Sequence, residues 1–300
     1  MVDADFDFFW GGAMTAVMKE IRKVPASAGA EWLLGGFSLL RKAPLTLGLL
    51  GLIWGGLSAV ASVTGQLWLS LVMALLGPIL FGGVIYAARE VDLGRHASPT
   101  HLLQGLREGK AAQLLAMLLP QIAALVILAL LLLAMLGGEQ LQHIAQVMQQ
   151  MQANPDPELA KMLPAGRMLG WLLLALVVGV VAGFFTFVAI PEVMFTPRGA
   201  FAAMAISFRA CVRNLPALIV MIVLLLIALF AISIAVNLVI VLLTWAIGQQ
   251  PAMFIGQLLL MAVLLPVMGG AIYYAWRNML GDAAAPPVPP VPPQADGFKA

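Results

Sequence analysis

One segment of the chain carries part of the pattern of a phosphate-binding loop. It runs Gly105-Leu-Arg-Glu-Gly109-Lys110. In such loops the backbone N–H groups hold the phosphates, and a Ser or Thr after the lysine binds magnesium. Here the spacing between the glycines is one residue short, and Ala111 stands where the hydroxyl is needed. The segment therefore does not predict a nucleotide site.

Two pairs of residues place metal-binding side chains close together in the sequence. His96 and His101 share one loop, and Glu139 and His143 have a helical spacing. Neither pair has enough neighbours for a closed metal site, and the sequence contains no zinc-protease, nucleophile-elbow or paired-cysteine motif. The single cysteine, Cys211, excludes an internal disulfide framework. We therefore expect no metal, no cofactor and no enzymatic activity.

Three amide side chains interrupt long apolar stretches: Gln121, Asn237 and Gln257. An amide without a partner in hydrocarbon costs several kcal/mol, so Asn237 in particular is expected to face another helix or a wet cavity. Bonding between helices is one use for such amides, worth about 0.6 kcal/mol on average, and contact with a ligand is the other. A polar cavity at which the three converge would favour transport.

Charge is absent from four long stretches of the chain. No Asp, Glu, Lys or Arg occurs in residues 44–88, 111–138, 168–191 or 215–276. The composition agrees, since 62% of the residues are hydrophobic and 10% are charged, against about 25% charged in soluble proteins. A spanning helix needs about 20 apolar residues, so the sequence predicts an all-α polytopic membrane protein. The six predicted spans are 44–64, 67–88, 112–136, 168–190, 215–243 and 253–276.

The basic residues predict how these spans are oriented. All of the 16 Lys and Arg residues except Lys161 and Arg167 fall on one side, and the positive-inside rule places that side in the cytoplasm. Both termini are then cytoplasmic, and we expect a bacterial inner membrane. The first residues contain three Asp where a secretory signal would be basic, so we expect them to be retained. The net charge of +2 is too small to predict a nucleic-acid partner.

A short amphipathic segment, residues 29–44, precedes the first span. It is too short and too charged to cross the bilayer. We therefore predict a helix that lies in the membrane interface, with Trp32, Phe37 and Leu40 at headgroup depth. Arg41 is expected to reach anionic lipid.

A similar segment precedes the fifth span and suggests a repeat. Arg213-Asn-Leu-Pro216 has the spacing of Arg41-Lys-Ala-Pro44, and Arg209 and Arg213 are expected to anchor the segment at the interface. Similar Gly-Gly-x-Ile-Tyr sequences at residues 82–86 and 269–273 end the second and sixth spans. We predict three tandem units, each an interfacial helix plus a hairpin; the alternative is that membrane proteins commonly share such short fragments. The predicted division of the chain is 1–28, 29–94, 95–197, 198–280 and 281–300.

The segment Val24-Pro-Ala-Ser-Ala-Gly29, followed by Trp32, Gly36, Arg41 and Pro44, resembles the opening of an uncharacterised family of bacterial six-helix inner-membrane proteins. The resemblance covers roughly residues 24–280. It implies a six-helix membrane fold and brings no catalytic or binding residues. The architecture is more loosely similar to the membrane domain attached to some glycerophosphodiesterases, but the soluble enzyme domain is missing from this sequence, so that activity is not implied.

Three further features are suited to partners. Gly51-x-x-x-Gly55 and Gly179-x-x-x-Gly183 offer smooth faces for close packing, within the bundle or between subunits. Residues 139–153 are expected to form an amphipathic helix that caps the bundle or rests on the outer leaflet. The proline-rich tail, residues 286–293, is expected to form polyproline II, which either binds an aromatic groove or acts as a spacer.

Two hypotheses for function follow from the sequence. The leading one is a compact, non-enzymatic six-helix bundle that organises lipid or supports a partner complex. The alternative is a transporter or channel for an uncharged or apolar solute. Coupling to ions through buried carboxylates is not predicted, because no predicted span contains a carboxylate.

Overall fold

The structure is a computed structural model that describes residues 21–63, 65–154, 159 and 163–281. In these ranges the chain forms helices and no β-strand. Six helical stretches are long and apolar enough to cross a membrane, which confirms the predicted all-α polytopic fold. These stretches are Pro44–Ala61, Leu67–Asp92, Ala111–Ala153, Ala165–Phe195, Leu215–Ile247 and Gln249–Leu280.

The α-helices, numbered in chain order, are α1 (Ala28–Lys42), α2 (Pro44–Val63), α3 (Leu67–Asp92), α4 (Gln104–Arg107), α5 (Ala111–Leu115), α6 (Leu119–Ala153), α7 (Ala165–Thr186), α8 (Ala189–Phe195), α9 (Ala200–Arg213), α10 (Leu215–Ile247) and α11 (Gln249–Leu280), with 3-10 turns at Pro99–Leu103 and Ala116–Leu118. The long helices pair into three hairpins: α2 with α3, α6 with α7, and α10 with α11. Each hairpin follows a shorter helical segment, which is α1 for the first, residues 99–107 for the second and α9 for the third. The equivalence of the three units stays a prediction.

Glycines set the shape of two hairpins. Gly248 alone separates α10 from α11, and its φ of 85° is one that glycine adopts without strain. Helix α6 runs past its predicted end at residue 136 and bends at Gly137, where φ is 72° and ψ is 162°. The predicted amphipathic helix at 139–153 is thus a continuation of α6. Val147 on this continuation is buried, whereas Met148 is 45% exposed.

One end of the bundle, which we call the basic end, is closely packed. It holds α1, α4, α5, α8, α9 and the last turns of α3 and α11. Helix α11 lies at its centre, in contact with α1, α2, α3 and α10. A Cβ atom on Gly36 would overlap the backbone at Val267 of α11, and one on Gly29 would overlap Ala217 of α10. Gly51 is similarly close to α11, so the first predicted glycine pair contributes a close contact within the chain.

The opposite end, with the links at residues 64–66 and 154–164 and at Gly248, is more open. In an 18-residue apolar stretch of each span, 39% of the residues are buried in α2, 44% in α3 and 28% in α11, but 17% in the span containing α6, 22% in that containing α7 and 6% in α10. Gly166 at this end has no atom within 4 Å of the place that a Cβ atom would take, and neither do Gly179 and Gly183 further along α7. The α6–α7 hairpin and α10 are therefore largely uncovered by protein. The closest packing of buried side chains is at the basic end, and the predicted compactness of the whole bundle stays a prediction.

Helix α1 packs one of its predicted interfacial side chains against protein. The side chain of Trp32 is 0% exposed, because α1 lies against α10 and α11. The Trp32 side chain therefore packs against protein, and its predicted position at headgroup depth stays a prediction. Phe37 and Leu40 are partly buried, while Arg41 is exposed and Leu34 is 66% exposed. The face of α1 that protein leaves uncovered carries Leu34 and Arg41.

Candidate functional site

Gln121 does not lie with the other two predicted amides. Its Nε2 donates to Oγ1 of Thr186 at 3.2 Å, which joins α6 to α7, and its buried Oε1 has no partner among the described residues. Both residues line a crevice of about 330 Å³ that also includes Trp54 and Pro78. Gln121 therefore serves the predicted helix-to-helix bonding, within the second hairpin.

Asn237 and Gln257 line a different groove, between α10 and α11, with a volume of about 830 Å³. The Nδ2 of Asn237 donates to the carbonyl of Ser233 at 2.8 Å, one turn earlier in the same helix. Asn237 is exposed and, among the described residues, makes no bond to another helix. Of the three candidate amides, the structure thus brings Asn237 and Gln257 into one groove and leaves Gln121 in a separate hairpin.

The walls of this groove, which we call the amide groove, are mostly apolar. Ser233 and Gln250 add two more uncharged polar side chains, and no charged residue lines it. The remaining lining residues are Val236, Ile240, Pro251, Met253, Phe254, Ile255, Gly256 and Leu260. Helices α10 and α11 approach closely at Gly256, where a Cβ atom would overlap the side chain of Ile240. The groove suits a ligand with an apolar body and a small uncharged polar group.

A second polar cluster, at the basic end, joins α3 to α11. The carboxylate of Asp92 accepts hydrogen bonds from the Tyr273 hydroxyl at 3.1 Å, from the Tyr274 hydroxyl at 2.5 Å and from Arg277 Nη1 at 2.6 Å. The Arg277 guanidinium also lies 4.8 Å from the centre of the Tyr274 ring. Both tyrosines belong to the sequence pattern at 269–273 or directly follow it, so this pattern positions a helix-to-helix connection.

Glu192 is the most deeply buried carboxylate in the part of the chain that the structure describes, at 3% exposed. It accepts hydrogen bonds from Trp276 Nε1 at 2.7 Å and from Thr196 Oγ1 at 3.3 Å, and it pairs with Arg198 Nε at 2.9 Å. Sequence reasoning missed this residue because the predicted fourth span ended at residue 190. The sequence did contain a signal for its burial. Glu192 follows a long apolar run directly, and the residues just after such a run are often still buried within the helical bundle.

Burial also determines the roles of Asn214 and Cys211, which lie at the end of α9. Asn214, in the predicted Arg-x-x-Pro anchor, is 1% exposed and bonds the backbone of Arg22 and Val24. Burial raises the pKa of the Cys211 thiol to about 12, so this cysteine is an inert packing residue rather than a nucleophile. The predicted anchors Arg209 and Arg213 lie on α9, half-buried and exposed respectively.

The loop after α3 carries the histidines and the glycine-rich segment noted in the sequence. Glu90 binds Arg95 through two hydrogen bonds, and this bonding raises the pKa of the Arg95 guanidinium. Burial lowers the pKa of His101. Lys110 donates to the carbonyl of Met194 at 2.6 Å. The lysine of the incomplete phosphate-loop pattern therefore binds protein.

Chemically, these polar groups at the basic end hold helices together. Asp92 and Glu192 each already accept several hydrogen bonds, which leaves them as structural anchors between helices rather than as free bases. Among the described residues, no three His, Cys, Asp or Glu side chains lie together as a metal site would need. The absence of metal and cofactor stays a prediction.

No protein-family model, curated protein or solved structure matches this chain. Membership of the six-helix family that residues 24–44 resemble therefore stays a prediction.

Proposed function

We propose that this protein is a non-enzymatic membrane protein that organises lipid. The observation that carries the proposal is the contrast in burial along the bundle. The basic end is closely packed, while 6% of the residues are buried in the 18-residue apolar stretch of α10 and the α6–α7 hairpin has many exposed apolar side chains. In a bilayer, acyl chains fill the space around such helices, so the fold presents a large surface to lipid from a rigid base.

A shallow groove on α1 supports lipid as the partner. It has a volume of about 520 Å³ and is lined by Leu34, Phe37, Ser38, Leu40, Arg41 and Pro44. Apolar walls beside an exposed arginine suit the acyl chain and the phosphate of an anionic phospholipid. A basic residue near an anionic surface contributes about 1 kcal/mol. Phe37, Leu40 and Arg41 thus keep their proposed lipid role, without Trp32.

The test is site-specific photo-crosslinking in native membranes. A photoreactive residue replaces Leu125 of α6 or Leu176 of α7, which are 67% and 64% exposed. The matched control replaces Leu50 of α2, which is 0% exposed. We expect lipid adducts at Leu125 and Leu176 and internal crosslinks at Leu50. Adducts at Leu125 and Leu176 to one protein species would overturn the lipid proposal in favour of a scaffold for a partner complex.

The orientation is part of the same proposal: a bacterial inner membrane with both termini in the cytoplasm. The concentration of Lys and Arg at one end of the spans supports it. Reporter fusions after Gly65, Asp156 and Gln250 are expected to be periplasmic. Fusions after Ala97, Gly199 and Gly297 are expected to be cytoplasmic. A cytoplasmic signal at Asp156 would contradict this orientation.

Partner proteins are a further part of the proposal. The uncovered Gly179 and Gly183 face is one surface that a second helix would fit, since nothing in the described chain occupies it. The proline-rich tail at 286–293 lies outside the described residues. Crosslinks from a photoreactive residue at Leu172, which is 56% exposed and shares a helical face with the two glycines, would identify a protein bound there.

One observation favours transport of an uncharged solute as a second candidate function. The amide groove combines apolar walls with uncharged polar groups within the spanning region. Gln121, however, lies in another crevice, which weakens the polar cavity that transport would use. Saturable uptake of an uncharged solute into vesicles, lost in Asn237→Leu, would favour this function over lipid organisation.

A further inference from the structure

The amide groove presents a physical problem at membrane depth. Asn237 lies 11 residues before the turn at Gly248 and Gln257 lies 9 residues after it. At 1.5 Å per helical residue these are about 16 Å and 14 Å from the turn, while the hydrocarbon core is about 30 Å thick. A third helix indicates a similar height: the Cβ position of Gly55 in α2, eight residues before that helix ends, is 3.7 Å from the side chain of Leu258, which follows Gln257. Both amides therefore lie at similar heights along the α10–α11 hairpin, within the stretches that are apolar enough to cross a membrane.

Neither amide has all of its hydrogen-bonding atoms paired with residues that the structure describes. Asn237 uses Nδ2 on Ser233 and has no donor for its Oδ1. Gln257 is exposed and makes no hydrogen bond to the residues that the structure describes. An unbonded amide in hydrocarbon costs several kcal/mol, so a bound group that supplies hydrogen bonds here gains that free energy.

The chemistry of the lining narrows the class of ligand. No charged side chain lines the groove, so nothing there would neutralise the phosphate of an anionic lipid. Asn237 Oδ1 is an acceptor and needs a donor, which a hydroxyl supplies and a ketone or ester carbonyl does not. The apolar walls and the volume of about 830 Å³, within the roughly 300–1,000 Å³ usual for ligand pockets, suit an acyl or prenyl body.

We propose that the amide groove binds an uncharged lipid whose head carries a free hydroxyl. The hydroxyl donates to Asn237 Oδ1 and accepts from Gln257 Nε2, while the hydrocarbon chain lies against Val236, Phe254 and Leu260. The inference deepens the proposed function, since it rests on lipid as the ligand and adds a specific site and head group.

The test uses the full-length protein in phosphatidylcholine vesicles that contain a photoreactive diacylglycerol. We expect labelling of α10 and α11 that unlabelled diacylglycerol competes away. Changing Asn237 and Gln257 together to Leu removes both hydrogen bonds to the hydroxyl and is expected to lower labelling by about tenfold or more. Gln121→Leu is the matched control, because this amide lies in another crevice, and it should leave the labelling of α10 and α11 unchanged.

Head-group probes separate the possible occupants. A diacylglycerol whose hydroxyl is capped as a methyl ether should label weakly, and so should a photoreactive phosphatidylglycerol. Equal labelling by the capped probe would overturn the role of the hydroxyl, and stronger labelling by phosphatidylglycerol would overturn the uncharged class. A crosslink to a second copy of the chain or to another protein would overturn lipid as the occupant.

Two further measurements keep the result decisive. If the double variant does not fold, as judged by circular dichroism and gel filtration, the single variant Asn237→Leu replaces it in the labelling experiment. Labelling of the wild-type protein that does not saturate would by itself overturn the proposed site. The crosslinks at Leu125 and Leu176 report on the proposed function separately. Lipid adducts there with no saturable groove labelling would reject this inference alone, and protein adducts there with intact groove labelling would reject the proposed function alone.

Discussion

The basic end and the opposite end of the bundle differ in what surrounds their large side chains. Trp32 and Glu192 are 0% and 3% exposed at the basic end, whereas Trp245 near the opposite end is 89% exposed. Apolar surface by itself does not draw helices together in a bilayer, because lipid tails are as apolar as leucine. The difference indicates that close packing in this protein depends on small residues that let helices approach each other and on polar groups that bond one helix to another. The buried polar groups are concentrated at the basic end.

A matched pair of tryptophans tests this contrast with the largest expected effect. Trp32→Ala removes a fully buried indole and is expected to cost about 3–5 kcal/mol of unfolding free energy. Trp245→Ala removes an exposed one and should change that free energy by less than about 0.5 kcal/mol. Denaturant unfolding of the detergent-solubilised protein measures both. Similar losses for the two variants would remove the basis of the comparison.

A matched pair of glutamates comes next. Glu192→Ala removes the acceptor of Trp276 Nε1 and one partner of the Arg198 guanidinium, and we expect a loss of about 2–4 kcal/mol, reduced from the full buried-pair value because Arg198 is 30% exposed. Glu139→Ala, at an exposed position near the opposite end, should be close to neutral. Thermal unfolding in detergent compares the two, and a neutral Glu192→Ala would show that the carboxylate does not hold the helices together.

A matched pair of glycines sharpens the role of helix approach. Gly36→Ala places a methyl group against the backbone of Val267, and overpacking of this kind costs about 1–3 kcal/mol. Gly166→Ala, in the first turn of α7 at the opposite end, meets no neighbouring atom and should stabilise its helix by up to about 1 kcal/mol. Opposite signs in unfolding experiments are therefore expected, and the same sign would count against a tight basic end and an open opposite end.

The smallest expected effect is a pH dependence at the basic end. Burial lowers the pKa of His101, with a further decrease from Arg107 that Glu90 opposes, so the unfolded chain, with a pKa of about 6.5, takes up the proton first. The stability contribution is therefore complete above about pH 6.5 and is lost as the pH falls through that value toward the lower folded pKa. We expect a fall in Tm on acidification that is smaller in His101→Gln, and an equal fall in both would exclude His101 as its source.

The spans were predictable because their signal is local. A charge-free stretch of about 20 residues specifies a spanning helix whatever its neighbours are, and the position of Gly248 favours a tight turn. The same local pattern did not determine what surrounds Trp32, since an amphipathic helix looks alike whether its apolar face meets lipid or protein. Glu192 was missed for a related reason, because the bonds to Trp276 and Arg198 that make its burial tolerable come from distant parts of the chain.

By itself, the sequence determined that this chain forms apolar helices of spanning length, where they turn, and on which end the arginines gather. The tertiary structure alone decided which faces meet. It buried Trp32, paired Asp92 with two tyrosines, and put Asn237 and Gln257 in one groove while leaving Gln121 in another. The physical reason is that helix formation in a membrane satisfies backbone hydrogen bonds within each segment, whereas packing depends on contacts between residues far apart in sequence, such as Gly36 and Val267.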